Sequence, residues 1–80
     1  RAWFGLGISY AALDRRDAAI TAFERAAKLQ PMNPHALYEL GIQHHALGHT
    51  DKVAEVVDRL RQFDPKATAQ LLAATQSRTN

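Results

Sequence analysis

Eighty residues with a formal charge of +2, 46% hydrophobic residues and no cysteine bound the possibilities before any motif is read. A chain of this size makes one small domain near the lower limit for a single core, and without cysteine it holds no disulfide framework, thiolate zinc site or cysteine nucleophile. Apolar runs of only a few residues exclude a membrane span, and interspersed charges such as Asp14-Arg15-Arg16-Asp17 describe solvated helix faces, not a phosphate-tracking stripe, so neither membrane nor nucleic acid is an expected partner.

The predicted elements are all helices. In the first, Trp3, Leu6, Gly7, Tyr10 and Leu13 recur at helical spacing and form the inner stripe, followed by a turn around Asp14 to Arg16. Ala19, Ile20, Phe23, Ala26 and Ala27 form the stripe of the second helix, which Pro31 ends. Asn33-Pro34 supplies an N-cap and a proline at the first helical position of the third, where Leu37, Leu40, Gly41, His44 and Leu47 face inward and Gly48 is placed as a C-terminal cap. Thr50 is the predicted cap of the fourth helix, whose Val53, Val56, Val57, Leu60 and Phe63 point to the core, with Glu55 and Arg59 spaced for an exposed ion pair. Asp64-Pro65 repeats the stop and start chemistry. A fifth helix, from Pro65 or Lys66 to Thr75, presents Leu71, Leu72 and Ala74 on one side and polar Lys66, Thr68 and Gln70 on the other, before QSRTN frays.

The chain also repeats itself. Shifted by 34 residues, Ala2 aligns with Ala36, Leu6 with Leu40, Gly7 with Gly41, Ile8 with Ile42, Ala12 with Ala46, Leu13 with Leu47, Asp17 with Asp51, Arg25 with Arg59 and Pro31 with Pro65. Ordinary residue frequencies would give about two such identities. A repeat of this period built from two helices indicates stacked solenoid modules.

The first unit carries the spacing W-x2-L-G-x2-Y, then A-x3-F, then P, as Trp3, Leu6, Gly7, Tyr10, Ala19, Phe23 and Pro31, with Ala26 as a further small residue. On these residues the chain resembles the tetratricopeptide repeat family. The second unit keeps Leu40, Gly41, Leu47, Gly48 and Pro65, but places Leu37, His44, Val53, Val57 and Leu60 where unit one has Trp3, Tyr10, Ala19, Phe23 and Ala26. The resemblance implies an all-α fold, an α-solenoid of antiparallel helix pairs with five helices: repeat one at residues 1–33, repeat two at 34–67, and a capping helix with a frayed tail at 68–80. Gly7 and Gly41 would mark where the two helices of each unit cross. A first residue other than Met and fewer than three complete units point to a longer parent chain with repeats before Arg1, or to self-association.

The resemblance further implies that the first helix of each unit lines a concave groove. Its candidate lining is Phe4, Ile8 and Ala11 from unit one, His35, Tyr38, Ile42 and His45 from unit two, and Leu72 from the last helix, with Gln76 extending the row. Phe4, Tyr38 and Leu72 are equivalent positions, so the groove is expected to be aromatic and aliphatic. Family members that capture C-terminal carboxylates use Lys, Arg and Asn there; Phe4, Ile8, Ala12 and their counterparts Tyr38, Ile42, Ala46 do not fit that role, and only Arg1 could meet a carboxylate.

The expected function is therefore a non-catalytic protein-protein interaction module that binds a peptide or helix. The alternatives are an oligomerisation element using the same surface, and a targeting segment of a larger enzyme. No cofactor is expected, and no catalytic constellation is visible: Ser9 and Ser77 have no histidine nearby in sequence, and no strand exists to carry a phosphate loop. The cluster His44, His45 and His49 invites a metal site, but Gly48 should break the helix between His45 and His49, so the ligand geometry fails and no metal is expected. That leaves His44 as a packing substitution for Tyr10, His49 as a turn residue, and His45 as a pH-sensitive hydrogen-bonding group for a bound peptide.

Overall fold

The structure, a computed structural model, describes residues 2–76. Five helices follow one another: α1 (Ala2–Ala12), α2 (Arg16–Leu29), α3 (Pro34–Ala46), α4 (Thr50–Arg61) and α5 (Pro65–Gln76). No strand occurs among the described residues, so the fold is all-α as expected. Arg1, Ser77 and the rest of the predicted tail lie outside the described residues, while Gln76, expected to fray, is still helical.

Local chemistry sets the helix starts. The Asn33 side chain accepts hydrogen bonds from the backbone N–H of His35 at 2.9 Å and of Ala36 at 3.4 Å, with Pro34 opening α3. Asp64 accepts in the same way from the Ala67 N–H at 2.9 Å, ahead of Pro65. Caps of this kind are each worth about 1 kcal/mol. Helix α4 departs from expectation: its N-cap is His49, and Thr50 is already helical. The carbonyl of His49 accepts from the Val53 N–H at 3.1 Å and so begins the ladder one residue before the hydroxyl could cap it. The turns inside both units use left-handed backbone at equivalent positions, Asp14 at φ 65° and Gly48 at φ 78°. Glycine takes this conformation without steric cost, and aspartate is among the few other residues that tolerate it.

Each helix packs on the next, and α5 lies against both α3 and α4, within an envelope of 33 × 26 × 17 Å. Phe23, Leu37, Leu60 and Leu71 are the largest fully buried side chains. The predicted inner stripes need correction at three leucines. Leu6 is 40% exposed, whereas its equivalent Leu40 is 3% exposed, because Leu40 sits between α2 and α4 while α1 packs mainly against α2. Leu13 and Leu47, at the helix ends, are also exposed. Thr68 errs in the other direction: it is buried, its hydroxyl donating to the Asp64 carbonyl at 2.9 Å, so it belongs to the inner side of α5.

The two repeat glycines receive different partners. A Cβ built on Gly7 would meet the Phe23 ring at 2.6 Å, as the crossing of α1 and α2 requires. On Gly41 it would meet the Leu71 side chain at 2.7 Å, so the close approach there belongs to α5 and not to α4. Val57 stands where unit one has Phe23, and the volume that the smaller side chain gives up is filled from the following helix.

A polar contact also ties the units together. Arg16 donates from Nη1 to Oε1 of buried Gln43 at 3.1 Å, and its other terminal nitrogen lies 3.2 Å from Asp14. Glu55 lies 4.0 Å from Lys52, not on Arg59 as the spacing suggested. Such an exposed pair contributes about 1 kcal/mol or less.

Candidate functional site

The candidate groove residues come from α1, α3 and α5, the helices that begin each unit and the final one. Phe4, Ala11, Tyr38, Ile42 and Leu72 are half-buried and pack on the edge of the core. The Phe4 ring centroid lies 5.7 Å from that of Phe23, tilted by 54°, so the aromatic at the surface is supported directly by the one that fills the helix crossing. Ile8 is 41% exposed, His35 is exposed and His45 is half-buried.

His35 and Tyr38 share a cleft of about 410 Å³ between the start of α3 and the start of α5, closed by Glu39, Asp64, Lys66, Ala67 and Gln70. The other six residues lie outside that cleft. Burial raises the Glu39 carboxyl above its ordinary value, and the nearby charge of His35 opposes that rise in part. Tyr38 therefore stands between an apolar row and a small polar cleft, able to offer a ring face to one and a hydroxyl to the other.

The histidine cluster is arranged differently from expectation. His44 is only 5% exposed, and its Nδ1 lies 3.1 Å from Nδ1 of His49, one ring donating to the other across the turn. The left-handed backbone at Gly48 reverses the chain and brings together two residues that no helical spacing would pair. Among the described residues no three potential metal ligands gather. Burial lowers the basicity of His44 first of all, and the neighbouring charges of His49 and Lys52 lower it further, against the opposing effects of Glu24 and Glu55.

The pH dependence follows from the direction of that shift. Below the ordinary histidine value of 6.5 the unfolded chain takes up a proton that folded His44 refuses, so stability present at neutral pH is lost as pH falls through this window. Thermal unfolding followed from about pH 7.5 to about pH 5.5 is expected to show a falling Tm. In His44→Tyr, which restores the residue found at Tyr10, the fall should be shallower; an unchanged slope would assign the acid sensitivity elsewhere. Glu39 acts in the opposite sense: the folded state holds its proton more tightly, so its contribution is fully present below pH 4.5 and is lost as pH rises above that value.

Antiparallel helix pairs repeating every 34 residues, with small residues at the crossings and one face of unit-opening helices left accessible, define a helical-repeat binding scaffold. The family model described as tetratricopeptide repeat matches residues 1–33. A PEX5-related protein of Homo sapiens is 34% identical over 65 residues, which make up 81% of this chain and 10% of that protein. The chain belongs to the tetratricopeptide repeat family, and it spans about a tenth of the length of the curated relative it matches. The family consists of protein-protein interaction modules that are in general non-catalytic. No described helix is long and apolar enough to cross a membrane.

Proposed function

We propose that the chain binds an apolar peptide or amphipathic helix of a partner protein along Phe4, Ile8, Ala11, His35, Tyr38, Ile42, His45 and Leu72, with no catalytic step of its own. The observation that carries this reading is the half-burial of Phe4, Tyr38 and Leu72, equivalent residues of α1, α3 and α5, each braced against the core and each leaving apolar surface open. Braced aromatic and aliphatic side chains lose little freedom on binding, which is the property of interface anchors. We keep the division into repeat one, repeat two and a closing helix as part of the same proposal.

The test is affinity capture with crosslinking from the native source, comparing the natural chain with a variant carrying Tyr38→Ser and Ile42→Ser. Anchors of this kind cost about 2 kcal/mol or more each when truncated, so the partner should be lost by at least about thirtyfold in affinity. Unchanged capture by a folded variant would remove the groove from consideration.

A second reading, assembly with further repeats or another copy, is favoured by one difference between the units: Leu6 is 40% exposed where Leu40 is 3%. Sedimentation of the natural chain against Leu6→Ser separates the two readings, because loss of self-association without loss of a heterologous partner supports assembly.

A further inference from the structure

Away from the candidate groove, α2 and α4 enclose a cleft of about 390 Å³. Its floor includes Leu40 and Val56, with the ring of His44 beside them, and its walls carry Arg25, Lys28, Lys52 and Arg59 against Glu24 and Glu55. Four cations and two carboxylates give this cleft the same +2 that the whole chain carries, so the rest of the sequence is neutral in sum. The charge excess that the sequence spreads over two repeats thus falls in one cleft.

The cations are not equally engaged. The Arg25 guanidinium lies over the Trp3 ring, 5.2 Å from its centroid, and Lys52 lies 4.0 Å from Glu55. Arg59 is the repeat equivalent of Arg25, but unit two has Leu37 where unit one has Trp3, so it lacks that aromatic support. Neither Arg59 nor Lys28 has an ion-pair partner among the described residues, and both are exposed.

We propose that the cleft between α2 and α4 docks an acidic segment of a protein partner, with an apolar side chain over Leu40 and Val56 and flanking carboxylates on Lys28 and Arg59. The apolar floor fits a side chain and offers nothing to a sugar-phosphate backbone. Glu24 and Glu55 repel a continuous run of phosphates, whereas a peptide spaces its carboxylates and brings backbone N–H groups to the intervening acids. Complementary charge of this kind contributes specificity and association rate more than raw affinity, and it weakens with salt. This surface is separate from the apolar groove, and the inference stands or falls without it.

The probe is a labelled peptide of about ten residues, blocked at both ends, with one leucine among glutamates and aspartates, titrated into the full chain by fluorescence anisotropy. Binding is expected at low salt and should weaken as salt rises. Lys28→Glu with Arg59→Glu should reduce affinity by about tenfold or more, while Arg15→Glu with Arg61→Glu, the same change in net charge outside the cleft, should leave most of it. Circular dichroism checks that both variants fold. For the natural chain, amide shift perturbation should concentrate at Thr21, Leu40 and Val56, which tests the site even if the first variant does not fold. Absence of binding, equal loss in both variants, or perturbations centred on α5 would overturn the proposal. Tighter binding of duplex DNA, lost in the same cleft variant, would overturn it in favour of a phosphate ligand.

Discussion

Phe23→Ala is expected to cost about 3–5 kcal/mol, which is comparable to the entire stability available to a chain of this size. The ring is fully buried, fills the space over Gly7 and supports Phe4, so its removal leaves a cavity bounded by two helices that cannot both close on it. Urea unfolding followed by circular dichroism should show no folded baseline for the variant at 25 °C. A cooperative transition within about 1 kcal/mol of the natural chain would mean that the α1–α2 crossing does not hold the fold together. The same geometry couples the two positions. Gly7→Ala should destabilise by itself, because ring atoms cannot withdraw as a flexible side-chain end can, and the penalty should shrink in a Phe23→Leu background.

Ending the chain after Asp64 is expected to have a comparably large effect. That cut removes Leu71, fully buried against Gly41, together with buried Ala67, and it leaves bare the faces of α3 and α4 on which α5 packs. Loss of the Leu71 side chain alone is worth about 2–5 kcal/mol. The shortened chain should therefore populate an unfolded or self-associated state, visible as loss of helical signal or as a rise in mass by light scattering. Retention of a monomeric, cooperative transition would show that the first four helices suffice and that α5 is an accessory.

Much of this architecture was legible because its determinants are local. Asn33-Pro34 and Asp64-Pro65 announce helix starts by the chemistry of one side chain and one missing N–H, and the structure shows both caps. The 34-residue register located the glycines of close approach, but it did not say what approaches them. Gly41 looked equivalent to Gly7, and only the packing reveals that Leu71 of the next helix takes the volume which Phe23 takes in unit one. Periodicity identified the apolar stripe of α1 without indicating how many helices cover it, so Leu6 and Leu13 were expected inside. The His44–His49 contact was invisible for a different reason. Five positions separate these residues across a reversal, and helical spacing has no term for a turn whose backbone passes through positive φ. In the candidate groove, the equivalence of Phe4, Tyr38 and Leu72 was readable from the repeat, whereas the polar cleft beside Tyr38 depends on how α5 meets α3.

The two contacts on α3 have a mechanical meaning. Arg16 grips α3 from the α2 side at Gln43, and Leu71 is seated at Gly41 from the α5 side. Two residues along a helix turn by about 200°, so these fastenings lie on nearly opposite faces. A helix pinned from both sides resists rolling as well as sliding, which makes α3 the axle of the molecule. Tension applied through the ends of the chain would peel α1 or α5 away before α3 moved. Tyr38 and Ile42, carried by that axle, would then keep their mutual spacing while the neighbouring helices flex around them.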